Sequence, residues 1–390
     1  MYQRLLTPKT LELSKHYPVV AITGPRQSGK TTLVRNAFAE KAYVSLEDPD
    51  VRGFASSDPR GFLSSYPEGC VLDEVQRVPD LLSYIQTRVD ALGKEGLYVL
   101  TGSFHFGLME GISQSLAGRV ALLHLLPLAV AELVPTNEVP ESLNDLLIQG
   151  LYPRVHDKGL DPQEWYGNYV DTYLERDVRT VTRVTDLARF QTFLRMCAGR
   201  SGHLVNLSSL GDDCGITHNT ARSWLSVLQA SFIVFLLQPH HRNFNKRLVK
   251  TPKLYFHDPG LLCYLLGIRD PGTLSLHPMR GQVFETWVIS ELLKGRYNRG
   301  LRENLYFWRD SAGHEVDCLV DQGDPLLPIE IKSGETLTGD SFKGLRFWHG
   351  LSGQPSGLGY LFYGGHLDQQ RKEATVLGWR SFALTLPGQI

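Results

Sequence analysis

From Val19 to about Val134, short apolar runs alternate with stretches of helical periodicity. The runs are VVAIT, AYVSL, CVLDE, LYVLTGS and VALLHLL. Continuous rather than alternating apolar runs are what a sheet covered on both faces requires, so the pattern predicts a parallel α/β sheet. After the polar, proline-containing stretch Pro135–Pro140 the periodicity turns helical, as in NYVDTYLERDVRTV and ARFQTFLRMCAG. Between about Gly202 and Ile268 it predicts a few short helices and then a hairpin. From about Met279 it predicts a helix, VFETWVISELL, followed by strands in NLYFWRD, EVDCLVD and LPIEIKS. Four regions follow: an α/β core over 1–135, a helical lid or linker over 136–201, a helix-turn-helix with hairpin over 202–275, and a second α/β region over 276–390.

Composition narrows the classes. The chain has 390 residues, and 40 Lys plus Arg stand against 41 Asp plus Glu, so any nucleic-acid surface must be local. Cys70, Cys197, Cys214, Cys263 and Cys318 are odd in number and form no CxxC pair, which argues against a zinc knuckle or a disulfide framework. The start, MYQRLLTPKTLELSKHYPVV, lacks the apolar core of a signal peptide. ALLHLLPLAVAELV and SFIVFLL are too short or too interrupted to span a bilayer. The expectation is a cytoplasmic protein with no membrane partner.

The strand Val19–Thr23 runs into GPRQSGKTTLV, which matches GxxxxGK[ST] from Gly24 to Thr31 in the required strand-to-helix setting. Such a loop wraps phosphates with backbone N–H groups, and the following helix aims its N-terminus at the anion. Gly24, Pro25, Arg26, Gln27, Ser28, Gly29, Lys30, Thr31 and Thr32 are the expected ATP-binding residues. Lys30 is placed to reach the β- and γ-phosphates, and the Thr31 hydroxyl to bind Mg²⁺. In GCVLDEV, Asp73 would hold magnesium and Glu74 would polarise the attacking water as general base. LYVLTGSF ends a strand on polar Thr101 and Ser103, and Ser103 is the candidate for the residue between that water and the γ-phosphate. Arg119 in SLAGRVALLHLL is read two ways: as a finger reaching a neighbouring subunit's γ-phosphate, or as a helix-end arginine complementing a dipole. The finger reading implies a homo-oligomer, with a hexamer expected.

LSSLGDDCGITHNTARSWLSVLQ has helix-turn-helix spacing, with Gly215 at the turn and Thr217 as N-cap of the second helix. Ala221, Trp224, Leu225 and Leu228 then face inward. His218, Asn219, Arg222 and Ser223 face out, where recognition residues lie. The hairpin that follows carries Arg242, Lys246, Arg247, Lys250 and Lys253 with no acidic residue among them. Such a wing would contact DNA phosphates with salt-sensitive, sequence-tolerant affinity. The competing reading is a winged helix used only for packing.

In the last region Glu285 lies on a helix, Asp317 in EVDCLVD, and Glu330 and Lys332 on one strand face in PIEIKS. Asp followed by Glu-x-Lys is the constellation of metal-dependent nucleases, in which Asp317 and Glu330 would hold Mg²⁺ and Lys332 would orient water or stabilise charge. Glu285 is a further candidate ligand or base.

Together GPRQSGKTTL, VLDEVQRVPDLL, LTGSF, SLAGRV, GLYPRV, TYLERDV, KRLVKTPKLYFHD, GQVFETWVISELLK, GHEVDCLV and IEIKSG resemble one family over nearly the whole chain. It is the family of prokaryotic AAA-type ATPases whose C-terminal domain is similar to PD-(D/E)xK nucleases. The resemblance implies a P-loop AAA-type core, a winged helix and a restriction-endonuclease-like α/β end. By matching motif it carries over Gly24, Gly29, Lys30, Thr31, Asp73, Glu74, Asp317, Glu330 and Lys332. At the lid no sensor 2 arginine stands out, and Arg154 in GLYPRV is the candidate. The leading expectation is an ATP-driven machine acting on duplex or branched DNA. The alternatives are a nucleotide switch whose winged helix makes it a regulator, and an ATPase whose nuclease-like domain only docks protein.

Overall fold

The computed structural model describes residues 2–103, 114–174, 186–241, 248–385 and 387. These cluster into two units. One comprises Met1–Leu128, Ala230–Phe232 and Tyr297–Leu301; the other comprises Ala129–Gln229, Ile233–Arg296 and Arg302–Ile390.

The first unit holds β1 (Val19–Thr23), β2 (Ala42–Ser45), β3 (Cys70–Asp73), β4 (Tyr98–Gly102) and β5 (Val120–His124). They form one sheet in the order β2-β3-β4-β1-β5, and every pairing is parallel. Every residue of β1 is buried, which is why its sequence is a continuous apolar run. Val19 and Ala21 enter one core layer with Leu72, Leu100 and Ile85. Val20 and Ile22 enter the opposite layer with Leu33, Val34 and Val99. Leu33 and Val34 belong to α1 (Lys30–Ala37), and Ile85 belongs to α2 (Leu81–Leu92). Because β1 lies between β4 and β5 while β2 lies at the far edge, the carboxyl ends of β1, β4 and β3 stand side by side. That switch in strand order is where open α/β sheets bind ligands.

The second unit contains α3 (Leu207–Cys214), a turn at Gly215 and most of α4 (His218–Ala230). Gly215 has φ 64°, the left-handed conformation glycine adopts without steric cost. Thr217 Oγ1 accepts the Thr220 N–H at 3.2 Å, the expected cap. β6 (Val234–Pro239) and β7 (Lys253–Phe256) then pair antiparallel. After the long α5 (Arg280–Asn298) come β8 (Leu305–Arg309), β9 (Glu315–Val320), β10 (Leu327–Lys332), α6 (Lys343–Ser352), β11 (Tyr360–Tyr363), β12 (Gln369–Gln370) and β13 (Thr375–Gly378). Their sheet has the order β12-β13-β11-β10-β9-β8-β6-β7. β6 joins it through parallel pairing with β8, Gln238 opposite Tyr306 and Pro239 opposite Phe307. The hairpin and the C-terminal strands are thus one continuous sheet.

The helical stretch NYVDTYLERDVRTV is described only to Leu174, where Val170–Leu174 forms a wide π turn after a helix over Pro162–Tyr169. The hairpin tip, with Arg242, Lys246 and Arg247, also lies outside the described residues. All five cysteines are buried and free. No helix among the described residues is long and apolar enough to cross a membrane.

Candidate functional site

The loop between β1 and α1 takes its shape from its glycines. Gly24 has φ 157°, and a Cβ there would collide with the Leu125 carbonyl. Gly29 has φ 92° and Gln27 φ 62°, so the backbone turns sharply twice before Lys30 opens the helix. Ser28 is fully buried, and its Oγ has no protein partner. Pro25, Arg26 and Gln27 form the rest of the loop, and Thr32 is exposed on the first turn of α1. The Lys30 ammonium is buried and donates to the carbonyls of Gly24 (3.0 Å) and Pro25 (2.7 Å).

The strand order brings Asp73, at the end of β3, against this loop. Asp73 is 5% exposed and accepts three hydroxyls. Thr31 donates to Oδ2 at 2.9 Å, Tyr43 donates to the same oxygen at 2.5 Å, and Thr101 donates to Oδ1. Burial first, and then the Asp73 carboxylate, push the Tyr43 phenol up to about 12. Arg35 lies over the Tyr43 ring, 3.8 Å from its centroid. Tyr43 carries no sequence signal, because β2 reads as an ordinary strand and only its register with β3 brings it here.

Glu74 is the next residue and sits at φ 59°, ψ 45°. That left-handed conformation costs a non-glycine residue about 1–2 kcal/mol. It swings the carboxylate to Ser103, whose hydroxyl donates at 2.9 and 3.1 Å, and to the Gln76 amide. The structure therefore places Gly24, Lys30, Thr31, Asp73, Glu74 and Ser103 around one crevice. The cradle shaped by Gly24 and Gly29, with the oxygen donors of Thr31 and Asp73, fits a polyphosphate and Mg²⁺.

Arg119 lies elsewhere. It directly precedes β5, at the amino end of the parallel strands and away from the loop that follows β1, where the Val19 N–H donates to its carbonyl at 3.3 Å. Its guanidinium forms a fork with Asp90 of α2 at 2.5 and 2.9 Å. Arg119 is therefore not brought to the crevice of its own chain.

The C-terminal candidates do converge. The β9–β10 pairing runs to Cys318 opposite Ile329, beyond which Asp317 Oδ2 takes the Ile331 N–H at 2.9 Å. Lys332 Nζ reaches Glu330 Oε2 at 2.6 Å and Asp317 Oδ2 at 3.4 Å. Glu330 is 4% exposed, and a Cβ on Gly344 of α6 would run into its carboxylate. Burial first, and Asp317 second, push the Glu330 carboxyl up to about 8, while Lys332 opposes the shift. Burial opposes the charge on Lys332, yet Asp317 and Glu330 hold its pKa above the ordinary lysine value.

Glu285 on α5 accepts from Tyr255 at 2.5 Å and from Lys253 at 3.2 Å. Lys253 also pairs with Glu315, which Arg309 binds at 3.2 Å. Burial raises the Glu285 carboxyl, with Lys253 opposing and Asp317 adding to the rise. Among the described residues the cluster brings together the carboxyls of Asp317, Glu330, Glu285 and Glu315 with Lys332, Lys253 and Arg309. Among the described residues no group of three His, Cys, Asp or Glu is arranged to hold a metal ion. Asp317 and Glu330 are hard oxygen donors of the type Mg²⁺ takes, but Lys332 engages both. Lys253, expected on the exposed basic wing, is instead 4% exposed and held by Glu285 and Glu315, because β7 turns it into the sheet; Tyr255, two residues on along the same strand, has no signal of its own in the sequence.

His218, Asn219 and Arg222 are exposed along one side of α4, and Lys250 is exposed before β7. Ala221, Trp224, Leu225 and Leu228 are buried, as the periodicity predicts. Lys246 and Arg247 lie outside the described residues. Arg154 is exposed on the helix Pro153–Lys158.

Comparison with known proteins agrees with the core. A family described as an AAA domain matches residues 16–134. Two domains of unknown function, DUF8612 and DUF4143, match residues 140–272 and 280–382. Uncharacterized protein Rv2008c of Mycobacterium tuberculosis is 33% identical over 325 residues, which cover 82% of this chain and 71% of that protein. Uncharacterized protein Mb2031c of Mycobacterium bovis matches to the same extent. Among solved structures, the Walker-type ATPase PABY2304 of Pyrococcus abyssi has 17% identity and a TM-score of 0.46, covering 67% of this chain and 94% of that one. AMPPCP-bound DnaA from Aquifex aeolicus has 15% identity and a TM-score of 0.31, covering 57% of this chain and 86% of its own.

Proposed function

We propose, on the premise that the chain belongs to the same family as the Mycobacterium tuberculosis protein Rv2008c and carries an AAA domain, that it hydrolyses ATP to act on DNA. The observation that carries the reading is the junction of Thr31, Asp73, Glu74 and Ser103 beside the phosphate loop. Lys30 leaves the loop carbonyls for the β- and γ-phosphates, exchanging neutral acceptors for charged ones. Thr31 and Asp73 are the residues that would hold Mg²⁺, which when bound neutralises phosphate charge. Glu74 orients and deprotonates the attacking water once Ser103 and Gln76 release it, and Ser103 then turns toward the γ-phosphate. Arg119, remote from its own chain's crevice, completes a neighbour's site in a homo-oligomer, with a hexamer as the working form.

The DNA-facing parts are the exposed side of α4, with His218, Asn219 and Arg222, and the wing with Lys246, Arg247 and Lys250. The C-terminal region acts as a nuclease-like domain around Asp317, Glu330 and Lys332, with Glu285 beside them. A second reading is a nucleotide switch whose C-terminal domain only binds. It is favoured by the ion pairs of that cluster, in which Lys332 and Lys253 engage the carboxylates. The deciding experiment measures ATP turnover alone and with single-stranded, duplex and four-way DNA. Stimulation by one DNA form supports the machine. A rate insensitive to all three, with DNA binding that depends on ATP against ADP, supports the switch.

A further inference from the structure

A buried arginine ahead of the first helix reaches the phosphate loop from behind. Arg4 is 6% exposed, although it lies only fifteen residues before β1. Fully buried Leu6 anchors its segment in the core layer with Val20, Ile22 and Leu33. One guanidinium nitrogen, Nη1, donates to the Ser28 carbonyl at 2.5 Å. The other, Nη2, donates to the Leu126 carbonyl at 2.8 Å and to Pro127 at 3.5 Å. Ser28 lies inside the phosphate loop. Leu126 follows the residue whose carbonyl closes over Gly24, and the Leu125 N–H is bonded to Thr23 at 2.7 Å.

We infer that Arg4 is a positioning residue for the phosphates of the nucleotide, an inference that rests on the ATP-site reading. Two physical effects combine. The planar fork ties the loop to the segment after β5 through two nitrogens held in one fixed geometry, which a single freely rotating ammonium does not supply. In addition, the Ser28 carbonyl and the Gly29 N–H belong to one peptide unit. A charge-assisted bond to that oxygen draws electron density from the nitrogen and makes the N–H a better donor to an anion. Arg4 strengthens the cradle without touching the ligand.

The test uses full-length Arg4→Met and Arg4→Lys proteins and a fluorescent ADP analogue, with adenosine as competitor. Losing a charge-assisted bond predicts a Kd for the ADP analogue about tenfold weaker in Arg4→Met. Adenosine affinity should stay within twofold, because adenosine has no phosphate. Arg4→Lys keeps the charge but not the fork, so about threefold weakening is expected, and it carries the experiment if Arg4→Met does not fold. In turnover, KM should rise more than kcat falls. A purely structural arginine would lower the melting temperature and leave the ratio of ADP to adenosine affinity unchanged. That unchanged ratio in Arg4→Lys overturns the inference. Wild-type protein that binds no ADP analogue overturns the ATP-site reading and this inference with it.

Discussion

Replacing Tyr43 by Phe tests the proposed magnesium role of Asp73 more sharply than removing Asp73 itself. Asp73 Oδ2 already accepts two hydroxyls, from Thr31 at 2.9 Å and from Tyr43 at 2.5 Å. A carboxylate oxygen offers about two lone pairs, so a magnesium-bound water can use Oδ2 only by displacing one donor. Thr31 would stay if its own oxygen holds the ion, so Tyr43 is the donor expected to leave. A bond to a charged acceptor contributes about 1.5–3 kcal/mol, and partial exposure of Tyr43 reduces this to about 1 kcal/mol. Removing a bond that exists only before the ion enters should therefore tighten magnesium binding about fivefold. The ring, and the Arg35 stacked on it, remain. Thr101 is the contrast. It is fully buried and donates to Oδ1, which it keeps in both states. Thr101→Val should cost about 1.5–3 kcal/mol of stability and leave the magnesium requirement within twofold. The assay is ATP turnover at saturating ATP across a magnesium titration, with urea unfolding in parallel. A higher magnesium requirement in Tyr43→Phe would refute the displacement and leave Tyr43 as a structural support of Asp73.

The phosphate loop was legible because its chemistry is local. GxxxxGK[ST] between a strand and a helix fixes backbone and side chains within eight residues. Asp73 and Glu74 were legible for a related reason, since an acidic pair at the end of a buried strand has few other uses beside such a loop. Tyr43 and Arg4 were not legible, because each arrives through tertiary placement: Tyr43 through the β2–β3 register, Arg4 through an N-terminal segment folded under the loop. The same limit applied to the hairpin. Its sequence predicts a wing, and nothing local predicts that β6 pairs with β8 and delivers Lys253 and Tyr255 to Glu285. Strands β11 and β13 carry little local signal, because each is a run of only four residues, β11 between glycines, that its neighbours in the sheet stabilise.

Further outcomes follow from the individual side chains. Lys30→Ala should abolish turnover, and Glu74→Gln should bind ATP and stall; steady hydrolysis by Glu74→Gln removes Glu74 from the base role. Mixing Arg119→Ala subunits into wild type should lower turnover more than in proportion, whereas a linear loss makes Arg119 only the partner of Asp90. Neutralising Lys246, Arg247 and Lys250 should weaken DNA binding across sequences, each lost phosphate contact flattening the log–log salt slope by about 0.9. Millimolar Mg²⁺ or Mn²⁺ should raise the melting temperature of wild type more than that of Asp317→Ala, and equal shifts would deny a metal at that cluster. The pH dependence of stability follows from Glu330, whose carboxyl is raised from 4.5 to about 8. Between those values the folded protein holds a proton that the unfolded chain has released. Stability from this group is therefore complete below pH 4.5 and is lost as pH rises to about 8, on the order of 5 kcal/mol in all. Glu330→Gln keeps an acceptor for Lys332 and cannot ionise, so its stability should exceed wild type by a margin that grows from pH 5 to pH 8.5. Glu285 is also raised and is common to both proteins, so the difference between the two unfolding curves isolates Glu330. Parallel curves over that range would mean that Glu330 is already ionised at neutral pH. Its charge would then be carried by Lys332, which holds it at 2.6 Å.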